Sequence, residues 1–279
     1  MSQISKKTTD IIDSSKTIAD EAILSAVLGI TKIQAITNPE KLYPTKMQMR
    51  KILEMRKRFQ NGEPLAYILG EKWFYGLLFK TDKRALIPRP ETEMLVEKAI
   101  DYIEVAKPNA IFDIGTGSGA IAITIAKTLG KKITAIDISI GALALAKSNA
   151  KQILKNKSTL VTFRQSDLLD KIKTIPDNTL IVANLPYLSK KELGEPSIKK
   201  EPKMALYGGY KGNYSSSAMI VALLKQIATK RSGRVTIILE FNYNQAKQIS
   251  SAAKRVFKNP KIEIVKDYSG FDRIAIIKS

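Results

Sequence analysis

Three glycines constrain this chain more than any other feature. They stand in Asp113-Ile-Gly-Thr-Gly-Ser-Gly119, between the apolar run Ala110 to Ile114 and a second apolar stretch that starts at Ala120. Glycine tolerates positive φ and has no Cβ, so the backbone can turn sharply here and approach a ligand, with the amides of a following helix pointing outward. The segment therefore reads as strand, turn, helix. The alternation continues, with strands expected at 110–114, 132–136, 160–164, 180–183, 235–240, 262–266 and 273–277. Helices are expected between them, at 91–105, 120–129, 141–154 and 215–229. This pattern predicts an α/β, Rossmann-like, doubly wound sheet of seven strands. The turn Asp267-Tyr-Ser-Gly-Phe-Asp272 between the last two strands predicts a terminal antiparallel hairpin.

The N-terminal part reads differently. Helices are expected at 9–18, 20–28 and from Thr45 onward, where Thr45 and Gln48 form a capping-box pattern ahead of Met49, Ile52, Leu53, Met55 and Phe59. Asn61-Gly62 ends that last helix. Residues 63–85 are richer in aromatic and apolar residues. Ala66 to Gly70 and Trp73 to Phe79 read as two strands of a hairpin, with Trp73 and Phe74 in its core. The expected organisation is a helical bundle at 1–62, a β-hairpin linker at 63–85 and a catalytic domain at 86–279.

Composition limits the chemistry. The 279 residues include no cysteine and no histidine, which excludes disulfides, Cys/His zinc sites, thiol nucleophiles and imidazole bases. No metal is expected. Forty-six Lys and Arg against 26 Asp and Glu give a net charge of +20, spread along the whole chain as a lysine-rich surface. That charge leaves nucleic acid open as a partner. With no apolar run of membrane-spanning length and no apolar stretch near residue 1, a cytoplasmic monomer is expected.

The glycine turn, Gly115-Thr116-Gly117-Ser118-Gly119, also fits a dinucleotide fingerprint. Either reading places Asp137, at the end of the next strand, on ribose hydroxyls. Asp113 favours a cationic donor over a pyrophosphate, which its carboxylate would repel. Asp167 and Leu168 follow the third strand, where a carboxylate can meet an adenine amine and an apolar side chain can cover the ring. The donor expected on these residues is S-adenosyl-L-methionine, leaving S-adenosyl-L-homocysteine as product.

Downstream, Asn184-Leu185-Pro186-Tyr187 follows the apolar run 180–183. A side-chain amide, backbone carbonyls beside a proline and an aromatic ring make a slot for a planar nitrogen group. An amide nitrogen is a poor nucleophile, so the site must bind its N–H groups and aim it at the methyl carbon. The side-chain oxygen of Asn184 and the backbone carbonyl of Leu185 are suited to this, and Tyr187 to packing on the plane. No base is needed, because the nitrogen sheds its proton readily once methylated.

Four segments carry a more specific resemblance: Glu63-Pro-Leu-Ala-Tyr-Ile-Leu-Gly70, Leu86-Ile-Pro-Arg-Pro-Glu-Thr-Glu93, the run Phe112 to Ala122, and Glu201-Pro-Lys-Met-Ala-Leu-Tyr-Gly-Gly209. The chain resembles the HemK/PrmC family, protein-(glutamine-N5) methyltransferases of class I peptide-chain release factors. The resemblance implies methylation of the glutamine in a Gly-Gly-Gln motif. It places the donor on Gly115 to Gly119, Asp137 and Leu168 and the glutamine on Asn184 to Tyr187. It also puts Arg89, Pro90 and Glu93 near the entrance and the release factor on the helical domain. The family pattern has proline where this chain has Leu185, and an Asp in the segment where it has Tyr210-Lys211-Gly212. Asn-Leu-Pro-Tyr also resembles the acceptor motif of ribosomal RNA adenine methyltransferases, and Lys190, Lys191, Lys199, Lys200 and Lys203 lie around it. An adenine-N6 methyltransferase and a non-catalytic RNA- or ribosome-binding scaffold are the alternatives.

Overall fold

The computed structural model describes residues 18–31, 33–34, 44–195, 198–209 and 215–279. The helix expected at 9–18, apart from its last residue, and the Tyr210-Lys211-Gly212 segment lie outside the described residues. The chain forms two compact units, Met1–Gly70 and Glu71–Ser279.

The first unit contains α1 (Ile18–Leu28), α2 (Lys46–Gln60) and α3 (Leu65–Leu69). Thr45 caps α2: its hydroxyl accepts from the Gln48 amide at 3.2 Å, while Gln48 Oε1 accepts from the Thr45 amide at 2.9 Å. This reciprocal pair satisfies two amides that a helix N-terminus leaves without partners. Ile23, Leu24, Ile52, Met55 and Ile68 form the core of this unit. Leu53 and Phe59, expected on the buried stripe of α2, are exposed instead.

Residues 66–70 form the end of a helix and its cap rather than a strand. Pro64 occupies the N-cap of α3, and Gly70 closes it in the left-handed region, at φ 78°, with its amide on the Ala66 carbonyl. Proline at the start and glycine at the stop favour a helical turn over extension, and the run Leu65 to Leu69 buries Tyr67 and Ile68 that way.

The hairpin is shorter than expected, pairing β1 (Glu71–Phe74) with β2 (Leu77–Lys80) across Tyr75-Gly76. Both turn residues have positive φ, 49° and 69°, as a two-residue hairpin turn requires. Side chains alternate across a strand, so Phe74 and Phe79 point inward and Trp73, 65% exposed, points out. Trp73 therefore lies outside the hairpin core in which it was expected.

The rest of the second unit is a seven-stranded sheet in the order β5-β4-β3-β6-β7-β9-β8. The strands are β3 (Ala110–Ile114), β4 (Ile133–Asp137), β5 (Val161–Gln165), β6 (Thr179–Asn184), β7 (Val235–Glu240), β8 (Lys261–Lys266) and β9 (Asp272–Lys278). All neighbours are parallel except β9, which runs antiparallel to β7 and β8. The helices are α4 (Glu91–Ala106), α5 (Ala120–Leu129), α6 (Ile140–Leu154), α7 (Ala218–Lys230) and α8 (Ala246–Val256). The last was not among the helices picked out from sequence.

The sheet is buried on both faces, as parallel strands require. Along β6, Leu180 and Val182 face α4 and α5, whereas Ile181 and Ala183 face α7 and α8. The chain steps outward from β3 through β4 to β5, then returns to start β6 on the other side of β3. A topological switch results between β3 and β6, and a crevice opens at the carboxyl ends of the strands there.

Candidate active site

The crevice is a cavity of about 510 Å³. Its wall includes Gly115, Thr116, Gly117, Ser118, Asp137, Asp167, Leu168, Asn184, Leu185, Pro186 and Arg89, so donor and acceptor motifs from four strand ends share one space. Asp113, Gly119, Tyr187, Pro90 and Glu93 are set back from that wall.

The donor side starts at the end of β3. Gly115, Gly117 and Gly119 all have positive φ, at 75°, 56° and 85°. The Gly115 and Thr116 amides both donate to the Ile136 carbonyl, at 2.8 and 2.9 Å, which bends the loop over the end of β4. A Cβ on Gly115 would lie 2.9 Å from Leu185 Cδ2, so the turn packs directly against the acceptor motif. A Cβ on Gly119 would meet Ile123 and Ala146, which makes this glycine a packing position between α5 and α6.

Asp137 ends β4 with its carboxylate in the cavity. One oxygen accepts the Gly117 amide and the other the Ser139 amide, each at 2.9 Å. A carboxylate has about four lone-pair directions, so both oxygens keep capacity for ribose hydroxyls. Burial raises its pKa, and those backbone donors oppose the rise. Ile138 follows, half exposed, and lines the cavity together with Leu168. These two apolar side chains, beside the Asp167 carboxylate, suit a flat purine. Ile138 was missed from sequence, although its place directly after the acid at a strand end was the available signal.

The chemistry of this set fits S-adenosyl-L-methionine: an acid for ribose, an apolar pair for adenine and a glycine turn without side chains. Asp137→Ala is expected to weaken donor binding by about 10- to 150-fold, since hydrogen bonds to a charged group are worth about 1.5–3 kcal/mol. Calorimetric titration with the donor measures this directly, and an unchanged Kd would move the ribose elsewhere.

Asp113 does not face the donor as expected. It is 1% exposed, and its Oδ2 accepts the Thr116 hydroxyl at 2.6 Å and the Ala122 amide at 3.1 Å, tying the glycine turn to the first turn of α5. Its Oδ1 has no hydrogen-bond partner among the described residues. Burial pushes its pKa up to about 7, against the pull of those two donors. A carboxyl with a raised folded-state pKa contributes stability that is full below its ordinary value of 3.8 and lost as the pH climbs to about 7. Melting temperatures of Asp113→Asn and the native protein should therefore diverge, the difference growing in favour of the variant from pH 4 to pH 8. A difference independent of pH would show that Asp113 titrates normally.

On the acceptor side, Asn184 ends β6. Its Nδ2 donates to the Thr92 hydroxyl at 2.9 Å, Thr92 donates to Glu240 Oε2 at 2.7 Å, and the Tyr187 hydroxyl donates to Glu240 Oε1 at 3.1 Å. Burial and the Glu240 carboxylate raise the Tyr187 pKa, so the phenol keeps its proton. Gln245 Nε2 donates to the Tyr187 carbonyl at 3.2 Å, which fixes the backbone after Pro186. Thr92, Glu240 and Gln245 were not picked out from sequence.

The segment 201–209 clasps this motif. The Leu188 amide donates to the Leu206 carbonyl and the Gly208 amide to the Leu188 carbonyl, both at 2.9 Å. A Cβ on Gly208 would lie 2.9 Å from Tyr187 Cα, a contact only glycine allows. Glu201, almost fully buried, pairs with Arg89 and accepts the Ile87 amide at 3.3 Å, which holds Arg89 on the cavity wall. Glu93 is engaged away from the entrance. Its Oε1 accepts the Tyr75 amide at 2.8 Å and pins α4 to the hairpin turn. Pro90 is the N-cap of α4. Lys190, Lys191, Lys199, Lys200 and Lys203 are exposed.

Comparison with known proteins agrees with this geometry. The Methyltransferase small domain model matches residues 91–201, and the PrmC N-terminal domain model matches residues 2–70. The release factor glutamine methyltransferase of Rhodopirellula baltica is 36% identical over 264 residues, covering 91% of this chain and 86% of its own. That of Fusobacterium nucleatum is 38% identical over 268 residues, covering 92% and 72%, and that of Bacillus subtilis 32% over 253 residues, covering 88% and 83%. Among solved structures, the hMettl16 catalytic domain in complex with an RNA hairpin aligns with a TM-score of 0.51 at 16% identity, over 84% of this chain and 81% of that one. The last match shows a shared fold alone. Identity of 32% or more along most of the chain goes further, and the protein belongs to the release factor glutamine methyltransferase family.

Proposed function

We propose that this enzyme transfers a methyl group from S-adenosyl-L-methionine to the side-chain nitrogen (N5) of the glutamine in the Gly-Gly-Gln motif of class I peptide-chain release factors. The observation that carries the reading is the orientation of Asn184. Its Nδ2 is committed to Thr92, so its Oδ1 is the atom left to face an acceptor. A primary amide offers two N–H donors, and Asn184 Oδ1 with the Leu185 carbonyl supplies two acceptors at the strand end.

The donor supplies a methyl group already activated by a sulfonium. The protein has to hold the amide plane and direct the nitrogen lone pair, and alignment of this kind is worth about 7–11 kcal/mol. Pro186 and Gln245 keep the Leu185 to Tyr187 backbone in place, and Tyr187 is tethered by its hydroxyl to Glu240 behind the cavity wall. The proton leaves after transfer, when the methylated nitrogen is strongly acidic, so water accepts it and no histidine is required.

Residues 1–62 are proposed to dock the folded release factor, the enzyme acting as a monomer in the cytoplasm, where translation terminates. Part of the binding energy then comes from surfaces remote from the glutamine, and a free Gly-Gly-Gln peptide should be a poor substrate. The test is transfer of labelled methyl to a purified release factor, to its Gly-Gly-Ala version and to deproteinised ribosomal RNA. Label on the first alone supports the reading. Label on the RNA alone replaces it with an adenine methyltransferase.

A further inference from the structure

We propose that Glu240, acting through Thr92, is a positioning residue that decides which end of the Asn184 amide faces the acceptor. The inference deepens the glutamine reading above and rests on it for the identity of the acceptor. Asn184 and Glu240 are register partners on the adjacent parallel strands β6 and β7. Thr92, from the first turn of α4, lies between their side chains.

An asparagine side chain is nearly symmetrical in shape and opposite in polarity at its two ends. Only the orientation with Oδ1 toward the slot can accept an N–H from an incoming amide; the other would present a donor to a donor. Nothing in the shape of Asn184 makes that choice. The hydrogen bonds make it.

A threonine hydroxyl has one hydrogen. Burial raises the Glu240 pKa while the Thr92 and Tyr187 hydroxyls oppose the rise, and both carboxyl oxygens accept from those hydroxyls. Thr92 thus spends its hydrogen on Glu240 and meets Asn184 with a lone pair, which the NH₂ end alone can satisfy. The chain of donors runs one way, from Asn184 to Thr92 to Glu240. Tyr187 donates to the other oxygen of the same carboxylate, so both edges of the acceptor motif end on one residue. Thr92 and Glu240 are 4% and 1% exposed, and in so buried a network a reversed dipole is costly.

Substitutions that keep shape and change polarity test the idea. Thr92→Val removes the hydroxyl with little change of volume, Thr92→Ser keeps it, and Glu240→Gln turns one acceptor into a donor. In methyl transfer to the release factor, Thr92→Val and Glu240→Gln should each lower kcat by about 100-fold, the cost of a misplaced reacting group, with donor Kd changed less than about twofold. Thr92→Ser should recover most of the rate. Adding Thr92→Val to Asn184→Ala should cost far less than Thr92→Val alone, because Thr92 acts on the acceptor through Asn184.

A second measurement needs no acceptor. The Asn184 side-chain NH₂ in the free protein should show slow hydrogen exchange by NMR, retained in Thr92→Ser and accelerated about tenfold or more in Thr92→Val and Glu240→Gln, as expected when a buried hydrogen bond is lost. Unchanged exchange, or a serine variant no better than valine, would overturn the relay. A native enzyme that leaves the release factor unlabelled while exchange behaves as expected would instead overturn the substrate reading alone.

Discussion

Asn184→Ala is expected to reduce turnover by about 100- to 1000-fold while donor affinity stays within about twofold. Removing one preorganised polar group that meets the reacting atoms, the role proposed for Asn184, has a cost of that order. The substitution removes an acceptor at the strand end and leaves Thr92 without its donor, and it does not disturb Gly115, Asp137, Ile138 or Leu168 on the donor side. Single-turnover methyl transfer at saturating donor, beside calorimetric donor binding, separates the two effects. Persistence of native turnover would mean that backbone carbonyls alone align the amide.

The second large effect is expected at Gly115. Alanine there meets two obstacles. The backbone is at φ 75°, a conformation that costs a residue with a Cβ about 1–2 kcal/mol. The new Cβ would also stand 2.9 Å from Leu185 Cδ2, an overpacked contact of the kind that costs about 1–3 kcal/mol. Together about 2–5 kcal/mol is at stake, and because the strained segment forms the donor turn, the loss should appear as a fall in donor affinity of about 30-fold or more. Gly115→Ala combined with Leu185→Ala should recover the part due to the clash and not the part due to φ. If the single variant binds donor normally, the turn does not approach the ligand through Gly115.

The same contact gives Leu185 a physical role. Its backbone carbonyl is proposed to serve the acceptor, while its side chain, 3% exposed, fills the space beside the Gly115 turn and couples the end of β6 to the end of β3. Leucine in place of the family's proline leaves the Asn-Leu-Pro-Tyr backbone restrained by Pro186 and by the Gln245 bond to the Tyr187 carbonyl.

The alternation of strands and helices was readable in the sequence because periodicity and glycine placement are local properties. The seven expected strands all form, with ends shifted by a residue or so. Gly115, Gly117, Asp137 and Asn184 were readable for a related reason: in a doubly wound sheet, the residue at the carboxyl end of a central strand is at the crevice wherever the chain goes next. The segment 66–70 was misread because a five-residue apolar run has no period of its own, and Pro64 and Gly70 decided for a helix.

What the sequence could not supply was the direction of individual side chains and the meeting of distant ones. Asp113 looked like a donor ligand from its neighbours, yet the register of β3 turns it behind the loop, where Thr116 and Ala122 hold it. Glu93 looked like an entrance residue and instead anchors the hairpin. Thr92 meets Asn184 across 92 positions and Glu240 across 148, and no spacing rule reaches that far. The sequence by itself determined which backbone turns exist and which strand ends line the crevice, because those follow from local sterics and hydrophobic period. Only the tertiary structure decided the orientation of the Asn184 amide, because that depends on hydrogen-bond partners brought together by the packing of α4, β6 and β7.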